Sequence, residues 1–213
     1  MLYLSELCRF LDSFAPPILS AEWDNVGLLV GDAAKQVQRV MICLTITPAS
    51  CAEAVRQGAD LIVAHHPLPF KPLRRVTTEN TPGRLLLELI QAGIAVYSPH
   101  TAFDSAARGI NQQLAEGIGL VEIKPLVVSS TNFTGNLGSG RCGKFAEPLR
   151  LVEISKRLQG FLKIKGLHVV GSGDAPISTA AVACGSGGSF LEHVLSQSID
   201  LLITGEASFH TCL

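Results

Sequence analysis

Short apolar runs alternate with amphipathic stretches along most of the chain. Residues 40–44 (VMICL), 60–64 (DLIVA) and 94–98 (IAVYS) are rich in β-branched and aliphatic side chains, as buried strands are. Residues 51–57 (CAEAVRQ) lie between the first two runs and predict a helix that ends at Gly58. Strand, helix and strand joined by short connections indicate parallel strands covered by helices. The predicted fold class is therefore α/β.

The same pattern predicts further elements on both sides of these strands. An amphipathic helix is expected near the N-terminus, where polar residues interrupt apolar ones at helical spacing. Helices are also predicted at residues 79–93, 104–119 and 148–160, and a strand at 167–171. The stretch 129–148 is rich in Gly, Ser, Thr and Asn, which predicts a connecting loop or hairpin.

Two segments of the chain resemble each other at an offset of 140 residues. GADLIVAHHPLPF (58–70) aligns with SIDLLITGEASFH (198–210), and the elements that precede them match at the same offset. This predicts two copies of one strand-helix-strand unit. We therefore expect two similar, pseudo-symmetric α/β halves over residues 1–125 and 126–213. The alternative is that any two such units look alike.

Two adjacent histidines, His65 and His66, stand where a predicted strand ends and Pro67 forbids its continuation. His100 and Asp104 follow the next predicted strand. Ligands of open α/β sheets gather at the carboxyl ends of the strands, so these side chains should converge. Imidazole nitrogens and carboxylates are the ligands that borderline divalent metals prefer. A metal site at this edge of the sheet is therefore predicted.

The adjacency of the histidine pair favours two metal ions over one. Neighbouring side chains that leave a strand point to opposite sides, so each imidazole could take one ion of a pair about 3.5 to 4 Å apart. We predict His65, His66 and Asp104 as metal ligands. Alternatively, one histidine is a core residue and the other lies on the surface, and Asp104 caps a helix that begins at Ser105.

Two further residues are candidates for proton transfer. Glu206 occupies the place in the second segment that the histidine pair occupies in the first, and it could ligate a metal or act as a general base. The alternative for Glu206 is a carboxylate at a helix start, where the helix dipole favours it. His100 could ligate, position a substrate or donate to a nearby carboxylate. We predict Glu206 and His100 as catalytic residues.

Two glycine-rich segments have features of phosphate-binding loops. GSGRCGKF (138–145) has the required spacing, but Phe145 replaces the metal-binding Ser or Thr and Pro148 follows instead of a helix, so we reject this interpretation. CGSGGS (184–189) follows a predicted strand and opens a helix, so its amides could bind an anion. A tight turn is the alternative. Cys184 is predicted to be a packing residue.

Composition and charge argue against several classes of protein. The formal net charge is −1 and the basic residues are dispersed, so no nucleic-acid-binding stripe is indicated. The apolar runs are shorter than the about 18 residues that a membrane span needs, and the N-terminus is expected to form a helix, not a secretory leader. The six cysteines form no CxxC pair, which favours reduced thiols and a cytoplasmic location.

Six segments occur in an order that resembles a known family. They are WDNVGLLVG (23–31), GADLIVAHHPLPF, YSPHTAFD, GSGRCG, CGSGGS and TGEASFH. Together they are similar to the Nif-three-like family, also called GTP cyclohydrolase type I type 2 homologs. The resemblance covers nearly the whole chain.

The resemblance implies two similar α/β domains with a dinuclear metal centre in the cleft between them, assembled as a ring-shaped homohexamer. The first two histidine ligands of the family fall on His65 and His66, and its aspartate ligand on Asp104. Its remaining ligands, a His and a Glu, would lie beyond Leu213, so we expect an incomplete metal site in this chain. Thr45 stands where family members commonly carry an acidic residue beside the site.

The leading functional hypothesis is a metal-dependent hydrolase with two divalent ions, which could be zinc, iron, manganese or nickel. The family name suggests ring opening of GTP, although the sequence contains no recognisable guanine or triphosphate pocket. The alternative is a non-enzymatic metal-binding scaffold or a regulatory interaction protein.

Overall fold

The computed structural model describes residues 2–129, 137–171 and 173–213. Over these ranges the chain is an α/β protein, as predicted, with helices packed on sheets. It divides into two compact units, Met1–Phe103 and Asp104–Leu213. The division into domains at residue 125 stays a prediction. In the part of the chain described, no helix has both the length and the apolar character needed to cross a membrane.

The first unit is built around a four-stranded sheet of order β2-β6-β5-β4. Strands β4, β5 and β6 are parallel, and β2 is antiparallel to β6. The carboxyl ends of the three parallel strands therefore share one edge of the sheet. The elements of this unit are β1 (Leu2–Tyr3), α1 (Leu4–Phe14), a 3₁₀ turn (Pro17–Leu19), β2 (Gly27–Val30), β3 (Gln36–Val37), β4 (Val40–Cys43), α2 (Pro48–Gln57), β5 (Leu61–Ala64), α3 (Thr81–Gln91) and β6 (Ala95–Ser98).

Strand β5 is apolar along its whole length because both of its faces are covered. Ile62 and Ala64 pack into a core cluster with residues of α2 and α3. Leu61 and Val63 belong to a second cluster, which contains Leu4 of α1. Successive side chains of a strand point to opposite faces, so a strand buried on both sides shows no alternation of polar and apolar residues.

The second unit has a four-stranded sheet of order β12-β11-β10-β7. Strands β11 and β12 are parallel, and the other neighbours are antiparallel. Helix α4 (His100–Ser105) spans the division between the units. The elements that follow are α5 (Ile110–Gly117), β7 (Leu120–Lys124), β8 (Val127–Val128), β9 (Gly138–Ser139), β10 (Arg141–Leu149), α6 (Leu151–Leu162), β11 (Ile177–Ser186), a 3₁₀ turn (Gly187–Phe190), α7 (Leu191–Ser196), β12 (Leu201–Glu206) and a 3₁₀ turn (His210–Cys212).

The predicted repeat is visible in the strand pairing of the two units. Strands β4 and β5 pair with Val40 opposite Leu61, and strands β11 and β12 pair with Ala180 opposite Leu201. Each residue of the second pair lies 140 positions after its counterpart in the first. The two strand-helix-strand segments therefore share one register, and the pseudo-symmetry of the complete halves stays a prediction.

Two of the predicted elements are wrong in detail. Residues 167–171 form no strand, because this short run has no strand partner and Val169 and Val170 are exposed. The helix predicted over 104–119 is split, because extended backbone at Gly109 starts a new helix there. Asp104 therefore lies within α4 and is not an N-cap.

The loop or hairpin predicted over residues 129–148 lies partly outside the described residues. The strands that flank its start, β8 and β9, pair antiparallel as in a hairpin. The rest of its described part is more regular than expected, since Arg141–Leu149 forms β10 in the interior of the second sheet. The glycines were interpreted as turn residues, but Gly143 lies within β10. It is so close to the neighbouring strand that an added Cβ would be 2.7 Å from the backbone oxygen of Val121. Glycine in a strand can mark close backbone approach as well as a turn.

Candidate metal centre

Three histidine side chains form a cluster beyond the strands of the first unit. Ligand nitrogens of His65, His66 and His100 all lie within 4.8 Å of one another. The ring centroids are 5.2 to 5.7 Å apart. Such a group of imidazoles can bind a metal ion, as was predicted for the histidine pair.

The backbone of the histidine pair continues the pairing of β5 with β4. The amide of His65 donates to the carbonyl oxygen of Cys43 at 3.2 Å, and that of His66 to Leu44 at 2.9 Å. Pro67 then ends the pairing, because proline has no N–H to donate. The sheet thus holds both imidazoles in place at the end of β5.

Asp24 orients His100, and the sequence analysis missed this residue. The Nδ1 atom of His100 lies 2.8 Å from Oδ1 of Asp24, whose side chain is completely shielded from solvent. An ionised carboxylate only accepts hydrogen bonds, so neutral His100 carries its proton on Nδ1 and has the lone pair on Nε2. The available signal was an acidic residue within WDNVGLLVG, but this motif does not indicate a partner 76 positions away.

Hydrogen bonds keep Asp24 ionised despite its burial. Burial raises the pKa of the Asp24 carboxyl, but hydrogen bonds from Thr101, His100 and Asn25 outweigh it and hold the pKa below its usual value. The Oδ2 atom accepts from the amide of Thr101 at 3.1 Å and also from the Thr101 hydroxyl. A carboxylate behind a ligating imidazole raises the basicity of that ligand.

The backbone of His100 has a positive φ of 24°. A conformation of this kind is uncommon for a residue with a side chain and costs on the order of 1–3 kcal/mol. It persists where surrounding contacts hold it. Here the Asp24 carboxylate binds both the ring of His100 and the backbone of the next residue, Thr101.

Thr45 contacts the second histidine of the pair. Its hydroxyl oxygen is 2.6 Å from Nδ1 of His66. The hydroxyl oxygen can accept a hydrogen bond from an Nδ1–H group, and in that tautomer the lone pair of the imidazole is on Nε2. The Ser50 hydroxyl donates to the Thr45 carbonyl at 3.2 Å and so ties this residue to the start of α2. Thr45 therefore orients His66 without the negative charge that the family resemblance led us to expect.

Burial and mutual repulsion keep the histidine pair neutral. Burial lowers the pKa of His65, and the neighbouring charges of His100 and His66 lower it further, to about 4. The pKa of His66 is also below its usual value, because of burial and then His100. A metal needs the neutral imidazole, so both side chains are in the competent state at neutral pH.

Asp104, the predicted carboxylate ligand, belongs to the second unit and is not a member of the histidine cluster. Its peptide oxygen accepts a hydrogen bond from Nδ2 of Asn111 at 3.0 Å. The Oδ1 atom of Asn111 accepts in turn from the amide of Cys184 at 2.7 Å. The buried Asn111 side chain thereby ties the end of α4 to β11.

Arg141 contacts the C-terminal end of α4. Its side chain is completely buried and donates to the carbonyl oxygens of Ser105 and Ala106 at 3.2 and 2.6 Å. A cation at the last carbonyls of a helix is favoured by the helix dipole. Arg141 and Asn111 together restrict the segment that carries Asp104.

Glu206 is the last residue of β12 and is exposed. Its backbone lies opposite Ser186 in the parallel pairing with β11. The alternative that it stands at a helix start is wrong, because the next turn begins only at His210. Glu206 therefore shares with His66 a position at the end of the second strand of the repeat.

The segment CGSGGS begins in the last residues of β11 and continues into the 3₁₀ turn Gly187–Phe190. A Cβ at Gly187 would lie 2.5 Å from the Thr204 hydroxyl oxygen, and the Gly187 amide already donates to that oxygen at 2.9 Å. Burial raises the pKa of Cys184 to about 12, with a further contribution from the charge of Asp104. The Cys184 thiol is therefore protonated and unreactive at neutral pH, which agrees with a packing role.

The chain has relatives among known proteins. The model of the Duf34/NIF3 (NGG1p interacting factor 3) family matches residues 2–213. The chain belongs to the Duf34/NIF3 family. A Clostridium acetobutylicum protein named GTP cyclohydrolase 1 type 2 homolog is 32% identical over 209 residues, which are 98% of this chain and 78% of that protein. The NIF3-like protein 1 of Drosophila melanogaster is 33% identical over 99% of this chain and 71% of its own length.

Solved structures agree with membership of the Duf34/NIF3 family. Reduced HcgD from Methanocaldococcus jannaschii is 29% identical with a TM-score of 0.79, over 99% of this chain and 81% of that one. A hypothetical protein of Staphylococcus aureus is 26% identical with a TM-score of 0.87, over the same shares of the two chains. The family resemblance and the α/β fold class predicted from the sequence are therefore confirmed.

Proposed function

We propose that this Duf34/NIF3 protein is a metal-dependent hydrolase with two divalent ions at its site. The observation that carries the proposal is the cluster of His65, His66 and His100, whose ligand nitrogens lie within 4.8 Å of one another. The names of relatives such as the Clostridium acetobutylicum GTP cyclohydrolase 1 type 2 homolog support a hydrolytic ring opening.

His65, His66 and Asp104 are the proposed ligands of the two ions. Neighbouring side chains of a strand start out toward opposite faces, so an adjacent histidine pair suits two ions better than one. We add His100 as an imidazole ligand in preference to the proton-carrying role expected from the sequence, because Asp24 holds its Nδ1. Imidazole and carboxylate donors fit zinc, iron, manganese and nickel.

Glu206 is the proposed general base. A divalent ion at the histidine cluster would act as a Lewis acid and make water a better nucleophile near neutral pH. The exposed carboxylate of Glu206 would accept the proton as water attacks an electrophilic carbon or phosphorus of the substrate. The substrate proposed from the names of relatives is GTP, with attack on the purine carbon between two nitrogens.

Metal content is the first test of this proposal. Elemental mass spectrometry would compare the purified chain with a His65→Ala/His66→Ala variant and with His168→Ala, which removes an exposed histidine outside the cluster. We expect bound metal in the chain and in His168→Ala and its loss in the double variant. Equal metal content in all three proteins would disprove the assignment of the ligands.

Turnover is tested separately from metal binding. The metal-loaded protein would be assayed for GTP ring opening beside Glu206→Gln, which keeps the shape of the side chain and removes its basicity. We expect turnover to fall in the variant while its metal content stays unchanged. Absence of GTP turnover in the metal-loaded protein would remove the proposed substrate without affecting the metal proposal.

A non-enzymatic scaffold is the second candidate, and the family description as an interacting factor favours it. In that case, substitution of His65 or His66 would alter assembly and no hydrolysis would be detected with any substrate. The family resemblance also implies a ring-shaped homohexamer. Native mass spectrometry of the protein and of the His65→Ala/His66→Ala variant would measure the subunit number and its dependence on metal.

A further inference from the structure

Two aromatic side chains border the histidine cluster, and the proposed chemistry uses neither of them. The ring centroid of Trp23 lies 6.2 Å from that of His100 and 5.9 Å from that of Phe70. The Phe70 and His100 centroids are 6.0 Å apart. Within each pair the rings meet edge to face, at 67° to 85°. Trp23 and Phe70 therefore both lie beside the imidazole of His100, a member of the histidine cluster.

Both aromatic rings are exposed to solvent. Trp23 is 66% exposed and Phe70 is 45% exposed. A single exposed apolar residue needs no explanation, because much of any protein surface is apolar. Two adjoining aromatic rings next to convergent metal-binding groups are a different case, since ligand sites combine apolar walls with a few placed polar groups.

Polar contacts hold the segments that carry the two rings. The Nδ2 atom of Asn25 donates to the carbonyl oxygen of Pro69 at 2.8 Å, which ties the residues after Trp23 to the residue before Phe70. Asp24, directly after Trp23, is bound to His100. Because these contacts form within the protein itself, little order would have to be created when a ligand binds.

We propose that Trp23 and Phe70 form a stacking platform for a planar heteroaromatic ring of the substrate, beside the metal-binding histidines. This inference rests on the proposed function and adds the side chains that hold the planar ring of the substrate at the same site. Aromatic side chains attract planar rings because every nucleobase-like ring offers a π-face, and tryptophan offers the largest apolar surface for this contact. A sugar phosphate without a ring base would gain nothing from these side chains.

The protein provides its own reporter for this interaction. Trp23 is the single tryptophan of the chain, so its fluorescence reports on the platform alone. Guanosine monophosphate and ribose 5-phosphate make a matched pair of probes, since both carry the sugar phosphate and only the first carries a planar ring. We expect saturable quenching of Trp23 by guanosine monophosphate and none by ribose 5-phosphate. Equal responses to the two probes would overturn the inference.

Calorimetry then measures what the indole ring contributes. Trp23→Leu should weaken binding of guanosine monophosphate by about 5- to 150-fold, the range seen when a stacking aromatic is removed. Trp23→Phe should restore part of the affinity because it keeps an aromatic face. Phe10→Leu, which alters an equally exposed ring on α1 at 65% exposure, should bind as the unsubstituted chain does. Unchanged affinity in Trp23→Leu would contradict the platform.

Metal content separates this inference from the proposed function. Trp23→Leu should retain the metal content of the unsubstituted chain, and loss of metal would mean that the ring only supports the site. Discrimination between the two probes without any bound metal would support the platform and contradict the hydrolase proposal. Bound metal without discrimination between the two probes would support the metal site of the proposed function and contradict the platform. If the fluorescence changes with protein concentration and not with the probe, the rings pack against a second copy of the chain. This outcome would contradict the inference.

Discussion

The strand-helix-strand segments of the two units share a backbone arrangement and differ at its end. In the first unit, Oδ2 of Asp60 accepts the amides of residues 38–39 at 2.9 and 3.0 Å. In the second, Oδ2 of Asp200 accepts the amides of residues 178–179, both at 2.9 Å. In each unit the aspartate precedes the second strand and ties it to the start of the first.

The difference lies in the residues at the end of the second strand, which is β5 in the first unit and β12 in the second. The first segment continues into His65, His66 and Pro67, whereas the second continues into Gly205 and Glu206. One backbone frame can therefore present different chemistry, because the frame depends on main-chain pairing and buried apolar residues. The side chains at the strand ends are not needed for that pairing and can vary.

The largest expected effect comes from removing a strand-end donor in the first unit. His66→Ala should lower metal affinity by more than about 100-fold, beyond the usual effect of losing an outer contact. Glu206→Ala, at the corresponding position of the second unit, should have a much smaller effect on metal affinity if its role is that of a base. Titration with a metal-competing chelator measures both. Equal losses would mean that Glu206 is a ligand.

Asp24→Asn should weaken metal binding by about 10- to 100-fold. An asparagine can offer its amide N–H to Nδ1 of His100, which moves the imidazole proton to Nε2 and blocks ligation. Asp24 lies outside the strand-helix-strand segment that the two units share. Its substitution therefore tests whether metal binding depends on contacts outside that segment. The same chelator titration measures the effect. Wild-type affinity would show that Asp24 does not select the tautomer of His100.

Removing the shared aspartates should destabilise the protein. Asp60→Ala and Asp200→Ala should each cost about 1–3 kcal/mol of unfolding free energy, because two amides lose a charged acceptor. Asp60 should cost more, since it also lies 3.2 Å from Lys35 and is less exposed than Asp200. Chemical denaturation checks this order, with the exposed Asp174→Asn as control. An unchanged free energy of unfolding in Asp60→Ala would mean that this contact does not stabilise the first segment.

Acid should weaken both aspartate contacts over the same range of pH. Hydrogen bonds from the amides of Gln38 and Arg39 lower the pKa of Asp60. For Asp200, burial raises the pKa, but hydrogen bonds from Thr179 and Ser178 outweigh it and the pKa is lowered.

Because the folded-state pKa values are depressed, this stability is fully present above the ordinary value of 3.8 and is lost as pH falls below it through the lowered pKa. Denaturation measured against pH should therefore show a shallower acid decline in Asp60→Asn and Asp200→Asn. If stability falls with decreasing pH in both variants as it does in the unsubstituted chain, other carboxylates cause the loss.

The smallest effect should come from the turn after the helix of the repeat. Gly58 has a φ of 60° and Ser198, its counterpart, a φ of 53°. Left-handed backbone favours glycine, so Ser198→Gly should stabilise and Gly58→Ala should destabilise, each by about 0.5–1 kcal/mol. Thermal melts of the two variants measure the opposite signs. A shift of the same sign in both would mean that side-chain contacts dominate at one of the turns.

Much of the first unit could be predicted from the sequence, since its strands, helix ends and histidine pair follow from consecutive residues. Gly58 ended α2, and Pro67 ended the pairing after His66, as local chemistry requires. The second unit was predicted less well. Gly143 resembled a turn residue because a sequence cannot show how closely a neighbouring strand approaches. The split between α4 and α5 was missed because apolar spacing continued across it.

By itself, the sequence determined the α/β class, the repeated segment and the presence of two imidazoles at a strand end. These features depend on side-chain period and backbone chemistry over a few neighbouring residues. The tertiary structure decided that Asp24 binds His100 across 76 positions and that Trp23 meets Phe70 beside that histidine. Such contacts have no local signature, because they form only when packed strands bring distant segments to one edge of the sheet.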